Sequence, residues 1–141
     1  MKNSIVGFPR IGKLRELKFA SEKYFRKEIK KDELLQVAKN LRQEHLSFIK
    51  NQEIDYVPSN DFSFYDGVLD AAFLINAVPQ EYKELKLDEL DTYFAVARGY
   101  QGQKGDVPAL AMKKWFNTNY HYIVPEISDD TKLELVNNKP F

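Results

Sequence analysis

No cysteine occurs among the 141 residues, and histidine occurs only twice. A chain without thiols has no disulfide framework, no thiolate zinc site and no cysteine nucleophile. A structural zinc needs about four ligands, and His45 and His121 do not form a pair at ligand spacing. Long apolar runs are also missing. Nothing approaches the roughly 20 residues of a membrane span, and the N-terminus has no signal-peptide core, so a cytoplasmic chain without a membrane partner is expected. Lys and Arg total 21 against 21 Asp and Glu, which leaves no bulk attraction for nucleic acid. Neither a G-x-x-x-x-G-K-S/T nor a G-x-G-x-x-G phosphate loop is present, and no nucleophile, base and orienting acid fall together.

What is present is aromatic mass and a blocked charge pattern. Eight Tyr, ten Phe and one Trp supply a core and argue against disorder. The length suits one domain or a piece of one. Residues 1–20 carry five basic side chains (Lys2, Arg10, Lys13, Arg15, Lys18) against Glu16 alone. Residues 52–91 carry ten acids against Lys83 and Lys86, and residues 98–114 turn basic again through Arg98, Lys104, Lys113 and Lys114. Such blocks are ordinarily solvated faces.

Along the chain, Ser4–Phe8 reads as a short buried strand, followed by a helix from about Leu14 to about Lys30. Asp32 is the expected N-cap of a second helix reaching Asn51, with His45 a packed, hydrogen-bonded residue on its apolar face. Ile54–Val57 reads as a second strand stopped by Pro58. An almost wholly apolar third helix spans about Asp66–Ala77, and Asp88 caps a fourth that Gly99 closes. Residues 99–108 read as a mobile loop, and Tyr120–Val124 as a third strand. Asn138-Lys139-Pro140-Phe141 looks like the threshold of a further helix, so the chain reads as unfinished. Strands separated by helices predict crossovers, hence parallel strands in an α/β layer fold.

The strongest local conflict lies at the first helix. Arg15 and Lys18 sit in or beside its first turn and Lys13 at its entry, where the helix dipole disfavours cations by a few tenths of a kcal/mol each. Cations and free N–H groups at a helix start form a receptor for a carboxylate or phosphate; equally, Glu16 and nearby acids could neutralise them on a solvated surface. Lys113-Lys114 precede Trp115-Phe116-Asn117-Thr118-Asn119-Tyr120-His121-Tyr122. That sequence suits an interface, a site for a planar acid, or plain core aromatics beside surface lysines. His121 is in addition a candidate general acid or base. Asp61, Asp66 and Asp70 are separated by loop or by helix spacing, and helix N-terminal acids near Asp66 have an ordinary capping reason.

Gly7-Phe8-Pro9-Arg10-Ile11-Gly12, followed by Arg15-Glu16-Leu17-Lys18, resembles the amino terminus of cobalamin-independent methionine synthases. Asp61-Phe62-Ser63-Phe64-Tyr65-Asp66, Lys114 through Tyr122, and Val124-Pro125-Glu126 continue the resemblance in the same order. It implies an α/β fold, residues 1–141 being the truncated amino-terminal portion of the first (β/α)8 (TIM) barrel, with about three parallel strands and four or more helices. It also implies an enzyme that moves a methyl group from 5-methyltetrahydropteroyltriglutamate to homocysteine. That enzyme uses zinc rather than cobalamin, with the zinc ligands outside this chain, and the chain alone would be inactive. Carried over residue by residue, Arg15, Glu16, Leu17, Lys18 and Lys114 would bind the triglutamate tail, Glu16 and Leu17 through backbone groups. A non-catalytic module that binds an anion or folate, and a barrel fragment that self-associates through open strand edges, are the alternative readings.

Overall fold

The computed structural model describes residues 1–136. The expected helix threshold at 138–141 lies outside them. The chain divides into two compact units, Met1–Phe64 and the part from Tyr65 onward.

The first unit is built on two helices, α1 (Glu16–Phe25) and α2 (Lys31–Asn51). In α2 the residues Leu34, Ala38, Leu41 and Ile49 recur at helical spacing and are buried, together with Leu17 and Ala20 of α1 and with Phe62 and Phe64. The helix begins one residue before the expected cap. Lys30 is the N-cap, and its N–H donates to the Glu33 carboxylate at 2.8 Å. Helix α1 is shorter than its apolar stripe predicts. Lys27 turns left-handed at φ 59°, and Lys27 N–H and Glu28 N–H close back on Tyr24 O and Lys23 O at 2.9 Å each. Those two bonds satisfy the final carbonyls and end the helix. His45 is half-buried with its ring 4.6 Å from that of Phe8.

The second unit contains α3 (Gly67–Leu74), α4 (Gln80–Glu84) and α5 (Glu89–Arg98), then the hairpins β1 (Tyr100–Gly102) with β2 (Gly105–Val107) and β3 (Met112–Lys114) with β4 (His121–Ile123). Tyr82, Tyr93, Leu69, Leu90, Val96 and Ile123 are its largest fully buried side chains. Asp66 and Asp88 cap α3 and α5 as their sequence context predicts, and Gly99 ends α5. The segment 99–108 is the β1–β2 hairpin rather than a loop. Helix α4, entered at Pro79, was not expected.

The expected barrel fragment is not found. The four strands of the described residues form two separate antiparallel two-stranded sheets, and parallel pairing is limited to one isolated bridge between Ser4 and Tyr56. Parallel strands need both faces covered. Here Val6 is 100% exposed and Tyr56 is 55% exposed, so among the described residues the two predicted strands lack covered faces and their pairing stops at the single bridge. Around the bridge, side chains replace the ladder. Asn3 N–H donates to Asp55 Oδ2 and Asp55 N–H to Asn3 Oδ1, each at 2.8 Å. The third predicted strand does exist as β4. It pairs across a short turn with β3, because closing a short loop costs less entropy than a long crossover.

Candidate functional site: a strained basic helix start and a cationic hairpin

Helix α1 begins without a conventional cap. Its N-cap is Arg15, whose backbone lies in the left-handed region at φ 64°, ψ 32° and whose side chain makes no capping bond. A guanidinium has only donors and cannot accept from the first-turn N–H groups. The chain therefore supplies other acceptors. Leu17 N–H donates to Ile11 O and Arg15 N–H to Gly12 O, both at 3.1 Å, and Leu14 N–H donates to Glu16 Oε2 at 3.0 Å. Gly12, at φ 88°, makes the fold-back possible. A β-carbon there would collide with the Glu16 carboxylate and lie 2.9 Å from Leu41 Cδ2.

The result is a helix start fixed in shape and edged with cations. Leu17 is buried and anchors it, Arg15 is exposed, and Lys18 is half-exposed. Lys18 pairs with Glu22 at 3.6 Å, an exposed (i, i+4) contact worth only about 0.3–0.5 kcal/mol and easily exchanged for another anion. Glu16 is the only acid of the first turn, and its carboxylate is committed to Leu14 N–H. Arg10 serves the fold, its Nη1 donating to Phe64 O at 3.1 Å. Asp61 does the same by accepting from Phe8 N–H at 2.9 Å.

Lys114 belongs to the second unit, where it ends β3 directly opposite His121 of β4. The turn between them is tied by Trp115 N–H to Tyr120 O at 2.8 Å and by Thr118 Oγ1 to Trp115 O at 2.6 Å. Trp115 packs edge-on against Phe116 and Tyr122, with ring centres 5.1 and 5.7 Å apart. Phe116 is 82% exposed and left-handed at φ 47°. Arg15 is itself left-handed and Phe116 lies two residues after Lys114, but Lys27, Glu53, Asn60, Asn76 and Lys86 are left-handed as well, so the conformation alone does not single out these contacts. The structure brings Arg15, Glu16, Leu17 and Lys18 into one turn and places Lys114 on a hairpin of the other unit. His121's register with Lys114 was not read from the sequence, because β3 itself was not recognised.

The third candidate cluster is structural. Asp66 Oδ1 accepts from Val68 and Leu69 N–H at 2.8 and 2.9 Å, and its Oδ2 accepts from Ile123 N–H at 3.1 Å. The Tyr93 hydroxyl donates to Asp70 Oδ1 at 2.7 Å and accepts from Tyr65 N–H at 3.1 Å. These buried carboxylates tie α3 to β4 and to α5.

The family model described as "Cobalamin-independent synthase, N-terminal domain" matches residues 2–141. This chain belongs to that family. Across all 141 residues the synthase-family chain is 62% identical to a relative from Campylobacter jejuni subsp. doylei, 60% to one from Streptococcus gordonii and 59% to one from Streptococcus pneumoniae serotype 19F. Each is named 5-methyltetrahydropteroyltriglutamate–homocysteine methyltransferase, and the chain spans 19% of the length of each. The family resemblance drawn from the four motifs is thereby established. Among the described residues, no helix of this synthase-family chain is long and apolar enough to cross a membrane. Nor does any group of three or more His, Cys, Asp or Glu lie where it could hold a metal ion.

Proposed function

We propose that this chain is the amino-terminal part of a methyltransferase that passes the methyl group of 5-methyltetrahydropteroyltriglutamate to homocysteine, and that it binds the triglutamate tail of the donor. The names of the relatives support the reaction. One observation carries the tail-binding role. Arg15, a non-glycine residue, is held left-handed and uncapped at a helix start, so that cations cluster where the dipole disfavours them.

Arg15 and Lys18 are the side-chain contacts for tail carboxylates at this turn, and Lys114 is a further one in the second unit. Glu16 and Leu17 contribute the backbone of the turn. Glu16 shapes it through Leu14 N–H, and Leu17 seats it in the core. Because these cations are exposed, each contact is worth about 0.5–1 kcal/mol rather than the roughly 1.5–3 kcal/mol of a shielded charged hydrogen bond. One such contact discriminates a triglutamate from a monoglutamate only by about two- to fivefold, so useful selectivity needs several cations acting together.

Anchoring the tail away from the reacting centre would position the methyl donor and so contribute to rate through proximity. Zinc would supply the homocysteine thiolate at neutral pH. The described residues do not fit it: the chain has no cysteine, and among the described residues no group of three or more His, Asp or Glu could hold a metal ion.

Titration calorimetry of the chain with tri-γ-L-glutamate tests the tail role. Salt-sensitive binding that Arg15→Ala, Lys18→Ala and Lys114→Ala each weaken is the expected result. Binding indifferent to all three substitutions contradicts it.

A further inference from the structure

We propose that His121 is a second grip on the carboxylate held by Lys114, so that the β3–β4 hairpin seats one glutamyl carboxylate between an ammonium and an imidazole. The inference rests on the tail-binding reading above and adds a residue to it.

The register of the hairpin places Lys114 directly across from His121. Cross-strand partners project from the same face with β-carbons about 4.5–5.5 Å apart, close enough for one carboxylate to touch both heads. Two groups able to carry positive charge, set opposite each other on an exposed ladder, oppose folding whenever both are charged. An anion between them reverses that sign. The imidazole is also oriented. His121 Nδ1 lies 3.1 Å from Asn119 O, and a carbonyl only accepts, so Nδ1 carries the hydrogen. That leaves Nε2 for the ligand, as a donor once the ring is protonated.

The turn that carries Asn119 is itself fixed. Besides the Trp115–Tyr120 bond, Tyr120 N–H donates to Thr118 Oγ1 at 3.2 Å. The titratable groups on the neighbouring elements are Lys113 and Lys114 of β3, Tyr122 of β4 itself, Asp66 at the N-cap of α3 and Asp70 within α3, which packs against β4. Both aspartates are buried and engaged, Asp66 with Ile123 N–H and Asp70 with the Tyr93 hydroxyl. Lys114 is the group in register with the imidazole.

The test uses the whole 141-residue chain and tri-γ-L-glutamate, followed by calorimetry and by the imidazole proton resonances at pH 6 and pH 8. The ligand is expected to shift the His121 titration midpoint upward. His121→Asn should lower affinity several-fold at pH 6 and less than twofold at pH 8, and Lys114→Met should lower it at both. His121→Gln provides a second neutral replacement, and dispersed amide spectra establish that each variant folds. If Lys114→Met weakens binding while the His121 midpoint stays fixed and both His121 variants bind as the parent does, the inference is overturned and the tail reading stands. If the parent chain gives no binding heat at either pH, the tail reading falls and this inference falls with it.

Discussion

The Glu16 carboxylate occupies the space that a β-carbon on Gly12 would need. Because Glu16 also accepts from Leu14 N–H, the two residues together fix the entry to α1 and so fix where Arg15 and Lys18 stand. Gly12→Ala should therefore destabilise the chain by about 1–3 kcal/mol, combining a left-handed β-carbon with a steric clash. Urea denaturation measures this directly. Adding Glu16→Ala should recover only part of the loss, because φ 88° and Leu41 Cδ2 remain.

Arg15→Gly separates stability from binding. Relief of a left-handed non-glycine residue gains about 1–2 kcal/mol, and the greater freedom of the unfolded chain offsets about 0.4–1 kcal/mol of that. The variant should be as stable as the parent or slightly more so, yet bind tri-γ-glutamate more weakly. A variant that loses stability and keeps its affinity would show that Arg15 serves the fold.

Asp66 spends both carboxylate oxygens inside the second unit, capping α3 and accepting from Ile123 N–H 57 residues away. Asp66→Ala should cost about 2–4 kcal/mol, since it removes a cap and leaves a buried N–H without its acceptor. Asp66→Asn can keep the cap through its one oxygen, but its amide donor then faces Ile123 N–H. It should fall between parent and Asp66→Ala in the same denaturation series.

Tyr82 gives the alkaline limb. Burial, then the neighbouring charges of Glu81 and Glu126, push its hydroxyl up to about 12 from the usual 10. The folded state holds this proton more tightly than the unfolded state does. Its contribution is therefore complete below pH 10 and is lost as pH rises from about 10 to about 12. Tyr82→Phe also deletes the 2.6 Å bond to Pro108 O, so it should cost about 1 kcal/mol at pH 7. It should flatten the stability profile between pH 10 and pH 12.

The parts of the fold legible in the sequence are those that local chemistry decides. Asp66 and Asp88 announce their helices because a short acceptor before an apolar run has one obvious use, and Gly99 ends α5 for a similar reason. The amphipathic stripe of α2 was equally plain. The parallel strands failed because periodicity alone does not say whether a run such as Ser4–Phe8 finds neighbours on both faces, and Val6 finds none. The β1–β2 hairpin was hidden by its glycines, which weaken a strand signal while permitting the turn. At the candidate site, the clustering of Arg15 with Lys18 was visible from spacing. The left-handed Arg15, the Glu16 fold-back and the Lys114–His121 register depend on backbone geometry that no local pattern specifies.

Methyl-transfer kinetics of a full-length member of the family, with triglutamate and monoglutamate methyl donors, test the central claim most directly. Lys18→Ala and Lys114→Ala should each lower kcat/KM for the triglutamate donor about two- to fivefold, the scale of one exposed charge contact, and leave the monoglutamate donor nearly unchanged. Equal losses on both donors would contradict the assignment of these residues to the tail.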